Sequence, residues 1–122
     1  MAKSAHSDVL DGLGGIVKTN CNLMIACSAQ PTTRAEAVTT YALADVAMAT
    51  GDFTAAADGG GRKLTVSAKS GVPVDTTGAA VYIAFVDSSR LLYVDTCASQ
   101  QLTQGNTVNF PAVDICKVGQ PT

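Results

Sequence analysis

The chain has no tryptophan, one histidine (His6) and one glutamate (Glu36) among its 122 residues. With His6 alone available, any Ser-His-Asp or Cys-His arrangement would have to reach to the extreme N-terminus, so nucleophilic catalysis of that type is not expected. The nine aspartates offer little more. Asp8, Asp52, Asp58, Asp75 and Asp87 stand where turns and helix caps use carboxylates for local backbone hydrogen bonds, and this reading is preferred to a catalytic carboxylate pair. Charged residues make up 15% of the chain, below the roughly 25% of an average globular protein. Net charge is −2, and the basic residues, Lys3, Lys18, Arg34, Arg62, Lys63, Lys69, Arg90 and Lys117, form no run beyond Arg62-Lys63. Nucleic acid is therefore not expected as a direct partner.

Long apolar runs are also missing. The longest, Ala79 to Val86, falls far short of the ~20 residues that span a bilayer, and Met1 to His6 leads into no secretory signal, so no membrane association is expected and synthesis is placed in the cytoplasm. No phosphate-binding motif is present. Gly59-Gly60-Gly61 lacks the Lys-Ser/Thr of a P-loop and reads as a hairpin tip. A zinc site is not expected, because no Cys-x-x-Cys occurs and only His6 could assist. The sequence implies no cofactor, no metal and no enzyme activity.

What the chain does have is small apolar side chains. Hydrophobic residues reach 47% with only 5% aromatic, carried by Ala, Val and Leu, which suits close sheet packing. The length fits one domain, residues 1–122, able to bury a core without staples.

Residues 4–18 read as a helix, capped by Ser4 or Ser7, with Asp8 and Asp11 near its positive end and Val9, Leu13 and Ile16 on one face. Gly12, Gly14 and Gly15 oppose it, each costing up to ~1 kcal/mol relative to Ala, unless tertiary contacts compensate or another backbone must come close. Cys21 to Cys27 reads as a strand apolar on both faces, hence buried, and Pro31 ends the segment that follows. Thr33-Arg34-Ala35-Glu36 fits a capping box, opening a short helical connector through Val38. The Ala-rich stretch from Tyr41 to Ala57 gives weak signals for strands near Val46–Ala49 and Asp52–Thr54. Arg62 to Ala68 alternates, with Leu64, Val66 and Ala68 inward. After a turn at Asp75–Gly78, Ala79–Val86 is the strongest strand and is expected at the centre of a sheet; Asp87–Arg90 then turns the chain into Leu91–Cys97 as its antiparallel partner. Thr107 to Cys116 alternates around Pro111, which marks an edge or a bend. Frequent strands and turns predict a mainly β fold, an antiparallel β-sandwich or barrel with a short N-terminal helix.

Four cysteines remain. If Cys21 and Cys27 share a strand they lie about 20 Å apart at ~3.3 Å per residue and cannot bridge. Internal pairing would then join Cys21 with Cys97 and Cys27 with Cys116, or Cys21 with Cys116 and Cys27 with Cys97. Cys27 and Cys97 read as small buried hydrophobes. Cys21, after a polar Lys-Thr-Asn junction, and Cys116, before a polar tail, are expected to be accessible and able to bridge to a neighbouring chain.

Several segments carry a resemblance: Ala2 to Asp11, Cys27-Ser28-Ala29-Gln30-Pro31-Thr32-Thr33, Tyr41-Ala42-Leu43-Ala44-Asp45, Gly61-Arg62-Lys63-Leu64-Thr65-Val66, Arg90-Leu91-Leu92-Tyr93-Val94 and Gly105-Asn106-Thr107-Val108. Together they resemble a family of small tailed-phage virion proteins over nearly the whole chain. The resemblance implies a particle component, a capsid decoration, cement or linking protein, or else a collar, neck or tail-associated subunit. Its partners would be the major capsid protein or neighbouring decoration or collar subunits, with self-association. The chain departs from the family in its glycine-rich helix, in Cys21, and at Val113 and Cys116, where relatives carry an aromatic and no cysteine. Extra cysteines at strand ends fit covalent linking of subunits. A receptor- or glycan-binding phage module is the alternative, weakened because only Tyr41, Tyr82, Tyr93, Phe53, Phe85 and Phe110 could face a sugar.

Overall fold

The computed structural model describes residues 7–118; His6, the first residues of the expected helix and the end of the polar tail lie outside them. One α-helix, α1 (Ser7–Asn20), precedes nine strands: β1 (Leu23–Cys27), β2 (Ala42–Ala47), β3 (Phe53–Asp58), β4 (Gly61–Val66), β5 (Lys69–Pro73), β6 (Gly78–Val86), β7 (Leu91–Leu102), β8 (Thr107–Phe110) and β9 (Val113–Val118). They form open antiparallel sheets, a four-stranded one in the order β2-β1-β6-β7, a three-stranded one in the order β3-β4-β9, and the pair β5-β8. The protein is mainly β, as its alternation predicts, and the sheets pack as a sandwich.

The four-stranded sheet is built on β1 and β6, whose residues are apolar on both faces. Met24, Ala26, Ile83 and Phe85 point into the main core with Phe53, Leu64, Val66 and Ile115 of the three-stranded sheet. Phe85 is the hub, meeting Phe53 edge-on at 6.3 Å between ring centroids and Tyr93, its cross-strand partner, at 6.3 Å. Ile25, Cys27, Ala84 and Val86 occupy the opposite face and are equally buried, covered by Ala37, Val38 and Tyr41. The segment read as a mere connector is therefore the lid of the second face. Its capping box is half formed. The Glu36 N–H donates to the Thr33 hydroxyl at 3.2 Å, but the Glu36 carboxylate reaches the Thr32 N–H (2.8 Å) and hydroxyl (2.6 Å) instead of Thr33. Those bonds, the Thr32 hydroxyl's first, hold the Glu36 carboxyl below the usual carboxylate range. The backbone then widens to a π-helical turn over Glu36–Thr40, closed by the Tyr41 N–H on the Glu36 carbonyl at 2.8 Å.

Asp87 ties that lid to the β6–β7 turn. Its Oδ1 accepts the N–H groups of Ser89 (2.8 Å) and Arg90 (2.6 Å), its Oδ2 pairs with the Arg90 Nε at 2.7 Å, and its carbonyl accepts the Arg34 Nε at 2.7 Å. The Asp-led hairpin turn expected at this point is present. At Asp58–Gly61 the strands β3 and β4 are joined through Gly59-Gly60, with Gly59 at φ +62°, the left-handed conformation a two-residue hairpin requires.

Pro111 has a larger effect than a local bend. Val66 pairs with Val113 and Lys69 with Phe110 in one continuous register, which places Ala68 opposite Pro111. Proline has no N–H to donate there, so a single ladder is split into β4–β9 and β5–β8, and the two halves belong to different sheets. Ala68, expected inward, is consequently exposed. The strand β5 escapes sequence reading because Gly71 and Pro73 disguise it; Gly71 sits at φ +66° in a bulge, its N–H donating to the Asn109 side chain at 2.9 Å. In the Ala-rich region, β2 begins at Ala42 and not near Val46, since alanine gives too little contrast to reveal which positions face inward.

The helix corrects a second expectation. Its inward line runs through Gly14, Val17 and Cys21, while Ile16 is 51% exposed. A Cβ at Gly14 would stand 3.4 Å from the Leu64 Cβ and 3.6 Å from the Cys116 Cβ, so this glycine marks the close approach of α1 to β4 and β9. The outer face of that sheet is polar: Asp114 accepts Lys63 at 2.9 Å and the Thr65 hydroxyl at 3.0 Å.

Two measurements test this account. Phe85→Ala is expected to lower unfolding free energy in urea by about 3–5 kcal/mol, the cost of emptying a buried aromatic site. Hydrogen bonds, first from the Ser89 N–H and then from Arg90, hold the Asp87 carboxyl below its usual 3.8. Its contribution is thus complete above that value and is lost as pH falls through the lower folded one. Asp87→Asn, measured by urea unfolding between pH 7 and pH 3, is expected to flatten part of the acid loss of stability while lowering stability at pH 7.

Candidate functional site

The four cysteines were the leading candidates, and the fold redistributes them. None is bonded to another. Cys21 does not share a strand with Cys27. It follows α1, its N–H bonded to the Val17 carbonyl at 2.9 Å, and is 4% exposed. Cys116, at 5% exposed, packs beside Gly14. Neither is accessible, contrary to expectation, because the polar residues flanking each in sequence point outward while the thiol turns into the core. Cys116 also has φ +52°. It lies in a bulge where β9 has two residues opposite Lys63 alone, and the left-handed position of such bulges is usually glycine. Cys27 is fully buried, as expected.

Neither internal connectivity is compatible with the fold, because each contains a pair that the structure keeps apart. Cys27 is opposite Tyr82 and Tyr82 opposite Thr96, so Cys27 and Cys97 are separated by two strand spacings, about 9.5 Å, beyond the ~7 Å Cα limit for a bridge. Cys21 lies about 10 Å along the helix from the Gly14 contact with Cys116, at 1.5 Å rise per residue. Cys27 faces the lid and Cys116 the main core, which also rules out their union. Cys97, expected to be buried at a strand end, is half-exposed in the middle of the longer β7.

Cys97 belongs to the most open part of the molecule. The strand β7 is 12 residues long and ends the sheet, bonded among the described residues only to β6. The opposite edge, β2, is partly covered, the Asp75 and Thr76 N–H groups donating to the Leu43 carbonyl. Between Thr96 and Gln100, β7 bulges away from Ala80–Tyr82. Facing the bulge is the Pro111 bend, and between the two irregularities lies a cavity of about 150 Å³. Ala80, Ile83, Cys97, Leu102, Val108 and Phe110 are among the residues that line it, with Gln100 and Asn109 as polar members. Such a volume holds one benzene-sized group. Burial, and secondarily the nearby Asp95, raise the Cys97 thiol above its ordinary value. Burial likewise raises Cys21 and Cys116, and takes Cys27 to about 11. All four are protonated thiols at neutral pH, which is unlike an activated nucleophile.

Phe53, Phe85 and Phe110 are buried, leaving only the half-buried tyrosines as aromatic surface. Among the described residues no group of three His, Cys, Asp or Glu side chains is placed to hold a metal ion, and no helix is long and apolar enough to cross a membrane. Asp45 and Asp75 approach each other, and burial followed by that like charge raises the Asp45 carboxyl. Sequence reasoning missed the cavity entirely, since neither the bulge nor the split ladder leaves a local signal. Compared with known proteins, the chain matches no family model, no curated protein and no solved structure.

The burial pattern sets an order of thiol reactivity. With a maleimide reagent at neutral pH, one thiol per native chain, Cys97, is expected to react, and Cys97→Ser is expected to abolish that labelling. All four should react after denaturation.

Proposed function

We propose that this chain is a structural subunit of a tailed-phage particle, a capsid decoration, cement or linking protein that works by binding neighbouring subunits. The observation that carries this reading is the open edge of β7 with an apolar cavity beside it, on a chain with few charges. Such an edge offers backbone donors and acceptors to another strand, and a neighbouring pocket offers a seat for one of its side chains. A surface with few charges is inexpensive to desolvate. The resemblance of segments such as Gly61-Arg62-Lys63-Leu64-Thr65-Val66 and Arg90-Leu91-Leu92-Tyr93-Val94 to small virion proteins supplies the setting. A pressurised shell gains stability from modest contacts repeated many times.

Partners in this setting are the major capsid protein or neighbouring decoration or collar subunits, together with further copies of the chain, in the particle and after synthesis in the host cytoplasm. The function requires no catalytic residue and no cofactor. A glycan-binding module is less well supported, because burial removes all three phenylalanines from any sugar-binding platform.

Quantitative mass spectrometry of purified particles tests the assignment. A decoration or cement protein is expected in many copies, in a fixed ratio to the major shell protein. A few copies per particle would favour a receptor-binding role, and absence from particles would overturn the virion reading.

A further inference from the structure

Only two aspartates in the chain precede a glycine, Asp11 before Gly12 and Asp58 before Gly59. A glycine there carries no side chain to obstruct attack by its nitrogen on the preceding carboxyl, so by sequence the two pairs are equivalent. The fold separates them. Asp11 and Gly12 lie inside α1, where a helical N–H is held by the carbonyl one turn back. Asp58 and Gly59 belong to the exposed tip between β3 and β4. There the Gly59 N–H makes no backbone hydrogen bond among the described residues, and a Cβ built on Gly59 would meet nothing within 4 Å, so the tip has room to turn.

Asp58 also lacks what secures the aspartate of the other hairpin. The Asp87 carboxylate is engaged by the N–H groups of Ser89 and Arg90 and by the Arg90 side chain. Among the described residues no group donates to the Asp58 carboxylate, and Lys63, on which its charge acts, is bonded to Asp114 at 2.9 Å.

We propose that Asp58 is a site of spontaneous backbone modification, isomerising to isoaspartate through a succinimide formed with Gly59, while the helix holds Asp11 as aspartate. The Gly59 nitrogen loses its proton and bonds to the side-chain carboxyl carbon of Asp58, whose C–OH bond breaks, and one water leaves. Water then adds to the former main-chain carbonyl of the ring. That carbon's bond to nitrogen breaks, the hydroxyl staying on carbon and the proton returning to nitrogen. The main chain now runs through the side chain of residue 58, one carbon longer, with the carboxylate on a branch and the net charge unchanged. Water is the only reactant, and it is recovered. The extra carbon offsets the Asp58–Gly61 pair that closes the hairpin, so the end of the β3–β4 ladder loosens as the protein ages. This chemistry belongs to the chain whatever particle contains it, so it can fail while the role proposed above stands, and the reverse.

Incubating the purified chain for several weeks at neutral pH in heavy-oxygen water, then fragmenting its peptides by electron transfer, reads the site directly. Each passage through the ring takes up a solvent oxygen, and isoaspartate breaks with its own fragment pattern. In the native chain, label and isoaspartate are expected to accumulate faster at residue 58 than at residue 11 by roughly tenfold or more, the factor that about 1.4 kcal/mol in barrier represents. In urea, which melts the helix, the two rates are expected to converge. Asp58→Glu, whose longer side chain would need a six-membered ring, is expected to clear the label from the hairpin peptide without change in circular dichroism. Comparable native rates at the two residues, rates that stay as far apart in urea, or label persisting in the hairpin peptide after Asp58→Glu would overturn the proposal.

Discussion

The inner strands of the four-stranded sheet, β1 and β6, have no polar face, and the rest of the structure answers that constraint. A strand such as β1 places Met24 and Ala26 on one side and Leu23, Ile25 and Cys27 on the other, so water must be excluded from both. An ordinary two-sheet sandwich satisfies only one side. The second is closed by the 28–41 segment, which contributes no strand and holds its place through Ala37 and Tyr41 below and the Arg34 bond to the Asp87 carbonyl at its margin. The Asp87 turn therefore does more than reverse the chain. It joins the end of the strongest strand pair to the cover of the face that pair would otherwise expose.

On the other side, the opposing layer is shaped by one residue that cannot donate a hydrogen bond. Pro111 divides what its register shows to be a single ladder. The β4–β9 half lies under α1 and faces the main core, while the β5–β8 half turns towards β2, where Val74 bridges to Ala44. Splitting the layer lets short strands wrap a core made of small side chains with few aromatics. It also leaves a defect, since the β7 bulge and the Pro111 bend do not fill the space between them.

That defect lies beside the open edge of the sheet. Close-packed interiors leave few voids larger than a water molecule, and edge strands are usually protected by charge, by proline or by cover. In β7 the protection is partial: a bulge and the single charge of Asp95 interrupt an otherwise neutral edge. Such an edge is guarded in part against indiscriminate strand pairing and open elsewhere.

By itself, the sequence determined the class of fold and its strongest pieces. Period-two alternation and unbroken apolar runs identified β1, β4, β6 and the first half of β7, because burial on one or both faces is written directly in side-chain order. Asp87 and the Gly59-Gly60 pair identified their turns, because turn geometry depends on local backbone preference. The limits appear where neighbours in space override neighbours in sequence. Ile16 shares the helical periodicity of a core residue yet faces outward, since the close approach at Gly14 rotates the inward line to Val17 and Cys21. The accessibility of Cys21 and Cys116 follows the same rule: polar neighbours along the chain say nothing about which way a single side chain turns. The strand β5 was hidden by glycine and proline that its bulge and its end accommodate. The cavity had no sequence signature at all, because it arises from two irregularities distant in the chain and opposed only after folding. Local order in the sequence set the strands and turns, and tertiary contact alone decided what they cover, expose and leave empty.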